Sequence, residues 1–201
     1  MGCIRPHKMT EDDVSKLKAA ALYVLQKFDG GTTDFIHLFK ILYFSERAHY
    51  AACGMHLIRD TFRSLKYGPV PSFLYDAIRL KRGDALEFEY TPDALALLRS
   101  LSSAFAVEEK IVRAGETPDM DELSRAEIAA LDAAVAEHKL QDFQTISDRS
   151  HDEAWEKARG NEGKSRSMSP YDIAAAGGAS KEFVAYIREQ EEIDEYLADE
   201  E

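Results

Sequence analysis

The chain has 201 residues, 45% of them hydrophobic, which is enough for one domain with a substantial core. Its 25 basic and 37 acidic residues give a formal net charge of -12, which repels phosphate backbones, so no direct nucleic-acid binding is expected. No apolar run approaches the length of a membrane span, and the N-terminus lacks the apolar core of a signal peptide, so we expect a cytoplasmic protein that does not contact membranes.

The N-terminal part begins with a predicted flexible lead, residues 1–10, which shows no hydrophobic periodicity. From Asp12 to Phe28 the apolar residues recur at spacings of three and four, which predicts a helix with one buried face. The glycines of the following Asp29-Gly30-Gly31 segment are predicted to end that helix.

The segment from Phe35 to Ala52 is predicted to be the central helix of the fold. Its first half is apolar at almost every position and is interrupted only by His37 and Lys40. A helix that is apolar on all sides is normally surrounded by the rest of the protein. Thr33 is predicted to cap its N-terminus.

A strand and a third helix are predicted after this element. Thr61–Tyr67 is rich in β-branched and aromatic residues, as is typical of a strand. The segment Gly68–Pro71 follows as a stiff turn, in which two prolines are expected to prevent further strand pairing. The third helix is predicted to begin at Pro71-Ser72 and to run through Arg82.

The middle of the chain is predicted to complete a small sheet. Leu86–Tyr90 alternates apolar and acidic residues like a short strand, and Pro92–Leu101 has the spacing of a helix. Phe105–Val107 and Ile111–Ala114 are predicted to form a hairpin. Together with Thr61–Tyr67, this hairpin would make a three-stranded antiparallel sheet.

The second half contains several helix-start signals. Ser124 and Glu127 have the spacing of a capping box, which predicts a helix to about His138. Further helices are predicted to start at Asp142, Ser150, Ser169-Pro170 and Ser180. Ser150 is predicted to form a second capping box with Glu153. The last helix is predicted to run to about Leu197.

The predicted fold class is mainly α (α+β), a compact helical domain around a buried central helix with a small three-stranded antiparallel sheet. The domain is predicted to span residues 11–198, followed by an acidic tail at 199–201.

Two residue sets have the composition of a catalytic or metal site. Glu46 and His49 lie three positions apart on one helix face, but no second ExxH motif supplies the other ligands of a metal site. The Ser150–Asp152 segment contains the residue types of a hydrolase triad, yet consecutive residues cannot face one another. We therefore predict no catalytic residue, no metal and no cofactor. A metal-dependent or hydrolytic enzyme that uses these two sets is the alternative.

The candidate partner-binding residues lie on a turn and on the single tryptophan. A rigid turn at the end of a strand can present a surface to a partner or simply redirect the chain. The tryptophan ring can anchor the core or contact a partner, and the core role is favoured. The candidate residues are Tyr67, Gly68, Pro69, Val70 and Trp155.

Several short stretches, taken in order, resemble the Panacea domain, also called the SocA-like or phage-associated protein family. They are Lys40–Phe44, Gly54, Tyr67–Val70, Leu74-Tyr75, Asp121–Ser124, Leu131-Asp132, Ser147–Trp155, and Asp172–Ala174 with Phe183, Tyr186-Ile187 and Glu189. The resemblance extends from about Lys16 to Leu197. It departs from the family pattern at 85–103, which we interpret as an insertion.

The resemblance implies an antitoxin that binds and neutralises a co-encoded toxin protein. It also implies that some members act as adaptors, which deliver the toxin to a cytosolic ATP-dependent protease. The acidic charge of the chain is compatible with a basic toxin. A phage-linked scaffold, or a protease adaptor whose client is not a toxin, is a further alternative.

Overall fold

The computed structural model describes residues 9–160 and 163–198, except for the side chains of 191 and 194–198. Most of the predicted lead, 1–10, and the whole predicted tail, 199–201, lie outside the described residues. The helices and strands in chain order are α1 (Glu11–Gln26), β1 (Thr32–Asp34), α2 (Phe35–Cys53), β2 (Phe62–Leu65), β3 (Gly68–Pro71), α3 (Ser72–Arg82), α4 (Pro92–Ser103), β4 (Phe105–Glu108), β5 (Ile111–Ala114), α5 (Arg125–His138), α6 (Phe143–Arg149), α7 (Glu153–Arg159), α8 (Pro170–Ala176) and α9 (Lys181–Ala198).

Helix α2 is the centre of the fold, as predicted. It packs against α1, α5, α8 and β3, and its apolar first half lies in the main core. Leu38, Ile41, Leu42 and Tyr43 are completely buried. The predicted cap is wrong by one residue, because the Asp34 carboxylate, and not Thr33, accepts hydrogen bonds at 3.0 Å from the first amides of the helix.

The fold is mainly helical with a small three-stranded antiparallel sheet, which confirms the predicted class. The predicted membership of that sheet is wrong, however. Strands β4 and β5 form the predicted hairpin, and β5 pairs on its other side with β1. The Thr61–Tyr67 segment is not part of this sheet. Strand β1 has only three residues, between a turn and the start of a helix. It is too short to show the alternation of apolar and polar residues from which a strand is predicted.

Strand β2 pairs instead with β3, so the two prolines do not prevent pairing. Pro69 and Pro71 lie at alternate positions of β3, opposite Ser64 and Phe62. The Ser64 amide points away from β3 and donates to the Arg166 carbonyl at 2.9 Å. The prolines therefore lie at non-hydrogen-bonded positions of the antiparallel pair, where neither strand has to donate a backbone amide to the other.

The predicted strand at Leu86–Tyr90 is absent, because a buried carboxylate holds this segment as a loop. Asp76 of α3 is completely buried and accepts hydrogen bonds from the amides of Glu87 and Phe88 and from the Tyr90 hydroxyl. The following helix, α4, packs against α3 and α1 and places Leu98 and Leu101 in the main core. Much of 85–103 therefore contributes to the core.

The capping box of α5 is confirmed. The Ser124 hydroxyl accepts from the Glu127 amide, and the Glu127 carboxylate accepts from the Ser124 amide. The second predicted capping box is wrong, because Asp152 caps α7 and Ser150 ends α6. The Ser150 hydroxyl instead donates to the Ser147 carbonyl at 2.7 Å, within the last turn of α6.

The last two helices form a smaller second apolar cluster. Helix α9 packs against α8, and Ile187 lies with Tyr50 and Ala174 in this cluster. The side chains of Tyr186 and Ile193 on α9 are 54% and 45% exposed. The acidic last helix is thus anchored at the C-terminal end of α2.

Candidate functional site

The turn between β2 and β3 places one aromatic side chain on the surface. Tyr67 is 49% exposed, whereas Gly68, Pro69 and Val70 are buried. The Tyr67 ring meets the ring of Phe143 edge to face, with 5.4 Å between the centroids. Phe143 is 39% exposed, so these two rings form an apolar surface that we call the Tyr67 patch.

Three helices hold the turn from behind. The Ser147 hydroxyl of α6 donates to the Tyr67 carbonyl at 3.0 Å, and the Lys40 ammonium of α2 donates to the Pro69 carbonyl at 2.7 Å. The Trp155 indole of α7 donates to the carbonyl of Leu65 at 2.9 Å. Because all three bonds use backbone carbonyls of the hairpin, they fix its position without occupying the Tyr67 side chain.

Lys40 is buried inside the protein, which is rare for a lysine. It is 1% exposed, and burial lowers its pKa well below the ordinary value. Its hydrogen bond to the Pro69 carbonyl compensates part of the cost of burial. Lys40 thus connects the central helix to the turn under the Tyr67 patch.

The burial of Lys40 predicts a pH dependence of stability. Its pKa is depressed in the folded state and near its ordinary value in the unfolded state, so the unfolded chain binds more protons between those two values. Lys40 should therefore make the free energy of unfolding increase as the pH rises toward about 10.5. This pH-dependent increase should be absent in Lys40→Met. Urea unfolding at several alkaline pH values measures the slope.

The matched control for this experiment is Lys81→Met, since Lys81 is exposed on α3. Lys40→Met also leaves the Pro69 carbonyl without its donor, which lowers stability at every pH and leaves the slope as the readout. An unchanged slope in Lys40→Met would contradict the lowered pKa of the buried Lys40.

Gly68 is required by both its conformation and its surroundings. Its φ is +98°, a region that residues with a side chain rarely adopt. A Cβ atom at this position would lie 2.8 Å from the Lys40 Nζ and closer still to the Ser150 hydroxyl. The close approach of the hairpin to α2 and α6 therefore depends on a glycine here.

Trp155 packs against the core, as the favoured interpretation predicts. Its ring stacks on the ring of His151, with 3.8 Å between the centroids. The His151 Nε2 is buried and has no hydrogen-bond partner among the described residues. Burial lowers the pKa of His151, so the uncharged form is favoured beside the indole.

The Glu46 and His49 pair has a structural explanation. Glu46 is 2% exposed, and its carboxylate accepts hydrogen bonds from the amides of Leu57 and Ile58 at 2.8 and 2.9 Å. It thereby holds the loop that follows α2. His49 is also buried, and burial lowers its pKa.

The structure does not arrange the Ser150–Asp152 segment as a triad. The Asp152 carboxylate accepts from the Tyr43 hydroxyl and from Arg47, each at 2.7 Å, while Ser150 bonds to a backbone carbonyl. Within residues 9–160 and 163–198, no group of three or more His, Cys, Asp or Glu residues is placed to hold a metal ion.

Three residues of this site were missed in the sequence. Lys40 interrupts an otherwise almost apolar stretch, which is itself a signal of an unusually buried lysine. Phe143 stands directly after the helix cap Asp142, where an aromatic side chain is not needed for the cap. No local signal indicates Ser147, because its role depends on a carbonyl eighty residues away.

Comparison with family models gave a match over the centre of the chain. The model described as "Antitoxin SocA-like, Panacea domain" matches residues 38–156, more than half of the chain. The chain belongs to the SocA-like Panacea family. The match covers the Tyr67 patch, its supporting residues and Trp155, and it is narrower than the span from Lys16 to Leu197 that the resemblance suggested.

Membership in the Panacea family indicates a role in a toxin–antitoxin pair, with a toxin as partner. A search of curated proteins and a search of solved structures each gave no significant match. No helix in the described part of the chain is long and apolar enough to cross a membrane.

Proposed function

We propose that this protein is a cytoplasmic antitoxin that neutralises its toxin by direct contact through the Tyr67 patch. The observation that carries the proposal is an exposed aromatic side chain on a hairpin turn whose backbone carbonyls accept hydrogen bonds from three side chains of the surrounding helices. Aromatic side chains on rigid supports are common hot spots of protein interfaces, since little conformational freedom is lost on binding.

The chemistry of the patch supports binding by contact. Tyr67 and Phe143 together offer two half-exposed rings, and Leu140, three residues before Phe143, is 94% exposed. Burial of such side chains on a partner is favourable in proportion to the apolar area removed from water. Gly68, Pro69, Val70 and Trp155 support the patch from within, so Tyr67 is the member of the predicted set that is available to a toxin.

Long-range electrostatics support a basic partner. The net charge of -12 attracts a positively charged toxin and raises the rate of encounter, an effect that added salt should weaken. The patch then supplies the short-range contacts. We therefore expect salt to slow association with the toxin and to change dissociation much less.

The test of the patch is Tyr67→Ala. This change should weaken binding of the co-encoded toxin by more than about 1 kcal/mol, or about fivefold in Kd, while the fold is preserved because the turn keeps its backbone hydrogen bonds. Calorimetric titration of the purified proteins measures Kd, and circular dichroism measures folding.

Two control variants accompany this test. Tyr186→Ala removes a tyrosine of similar exposure from α9, and His151→Ala removes the imidazole of the Ser150–Asp152 segment. Both should retain binding and growth rescue. A folded His151→Ala that loses rescue, together with a Tyr67→Ala that binds at full affinity, would move the site to the 150–155 segment.

We further propose that the bound toxin can be delivered to an ATP-dependent protease, as the resemblance implies for some family members. Masking alone leaves the half-life of the toxin unchanged, whereas delivery shortens it. The half-life of the toxin in cells with and without this protein therefore separates the two modes.

A further inference from the structure

A cavity of about 700 Å³ lies at the end of the β2–β3 hairpin that is remote from Tyr67. It is lined by Thr61 and Ser72 beside the open end of the hairpin, and by residues of the 88–91 loop and of α4. Its volume is within the range of roughly 300 to 1,000 Å³ that is typical of small-molecule sites. The proposed function leaves this cavity unused.

The wall of the cavity is aromatic and fixed in place. Phe73, Phe88 and Tyr90 all line it, and the rings of Phe73 and Tyr90 meet edge to face at 5.8 Å between centroids. Asp76 holds this wall, because its buried carboxylate binds the Phe88 amide and the Tyr90 hydroxyl. The aromatic surface is therefore formed before any ligand arrives.

The charges of the cavity are predominantly acidic. Among the described residues that line it, Asp60, Glu89 and Asp93 are acidic and Arg63 is basic. Asp60 is 7% exposed and accepts hydrogen bonds from two amides of α3, while Glu89 and Asp93 are exposed. The lining thus carries an excess of two negative charges beside aromatic rings.

The chain itself shows that this wall accepts a cation. The Arg63 guanidinium lies over the Phe88 ring, 4.9 Å from its centroid, and donates hydrogen bonds to the side chain and the carbonyl of Ser165. The negative face of an aromatic ring attracts such a group. The rings of Tyr90 and Phe73 line the same cavity.

We propose that this cavity binds an organic cation on an apolar stem, an alkylguanidinium or alkylammonium group such as the side chain of arginine or lysine. The stem contacts the apolar lining at Phe73 and Leu97, and the charged group lies between the aromatic wall and the carboxylates of Glu89 and Asp93. Aromatic rings with nearby carboxylates are the usual chemistry for such ligands. The proposal does not depend on the identity of the toxin.

The experiment is an NMR titration of the full chain with three probes. The blocked peptide acetyl-Gly-Arg-Gly-amide presents the cation as a side chain, and agmatine presents it as a free small molecule. The same peptide with citrulline in place of arginine is a neutral control of nearly identical shape. We expect saturable chemical-shift changes of the backbone amides around the cavity with the arginine peptide or agmatine, and none with the citrulline peptide. The cationic probe that binds with the lower Kd shows whether the cavity prefers a side chain of a polypeptide or a free small molecule.

The rim charges provide the matched variants. The double variant Glu89→Gln, Asp93→Asn should weaken binding of the cationic probe by roughly twofold to fivefold for each charge removed. The double variant Glu108→Gln, Asp121→Asn removes the same charge from exposed positions outside the lining and should leave binding unchanged. Equal binding of the citrulline peptide, no saturable shift with either cation, or undiminished binding in the rim variant would each overturn the proposal.

Discussion

Replacing Leu42 by Ala should lower the free energy of unfolding by about 2 to 5 kcal/mol. Leu42 is completely buried in the centre of α2, so the change removes apolar burial and also leaves a cavity that the surrounding elements cannot fill. Phe39→Ala should fall in the same range, since Phe39 is 1% exposed and its ring contacts those of Phe35 and Tyr75. Chemical denaturation measures both values.

Leu140→Ala is the matched control for this prediction. It makes the same truncation at a leucine that is 94% exposed, and it should change the free energy of unfolding by less than about 0.5 kcal/mol. A Leu42→Ala protein that unfolds at the same denaturant concentration as the parent would show that α2 is not the centre of the core.

Gly68→Ala should cost about 2 to 4 kcal/mol, because two separate effects add. The left-handed φ of +98° strains any residue with a Cβ, and that Cβ would also press on Lys40 and Ser150. Relief of the contact requires the hairpin to move away from α2, which would also lengthen the hydrogen bond from Lys40 to Pro69.

Gly83→Ala separates the two effects. Gly83 ends α3 with a φ of +81°, but an added Cβ there would meet nothing within 4 Å. It should therefore show only the conformational penalty, about 1 kcal/mol. Urea unfolding measures the loss of stability in both variants. Equal losses would mean that the close packing of Gly68 under the Tyr67 turn contributes nothing to the free energy of unfolding.

The sequence was informative wherever a local pattern decides the structure. The almost entirely apolar stretch from Phe35 to Phe44 predicted the central helix, because a helix of this composition is normally surrounded by the rest of the protein. The Ser124 and Glu127 spacing predicted the start of α5, because both capping partners lie within one turn. The third helix was likewise predicted to run through Arg82, and the structure ends it there with the left-handed C-cap Gly83.

The remainder depended on partners that are distant in sequence. Strand β1 exists because Thr33 pairs with Val112, and the loop at Glu87 exists because Asp76 binds its amide. The hydrophobic periodicity of a sequence does not indicate such long-range contacts. The prolines of β3 were misinterpreted for the same reason, since their tolerance depends on the Ser64 amide bonding to Arg166 on the other edge.

The candidate site was predictable only in part. Tyr67 was selected because a rigid turn can present a side chain, and it is exposed as that reasoning requires. The burial of Gly68, Pro69 and Val70 beneath it was not evident, because it depends on Lys40 reaching across from the central helix. The Phe143 ring beside Tyr67 comes from a helix that lies about seventy-six residues further along the chain.

Neutralisation of a co-encoded toxin by direct binding is the function we propose for this protein. The most direct measurement is the growth of cells that express the neighbouring gene product, alone and together with this protein or its Tyr67→Ala variant. We expect growth arrest with the toxin alone, full rescue by the parent chain, and reduced rescue by the folded variant. Growth arrest that persists in the presence of the soluble parent chain would contradict neutralisation by binding.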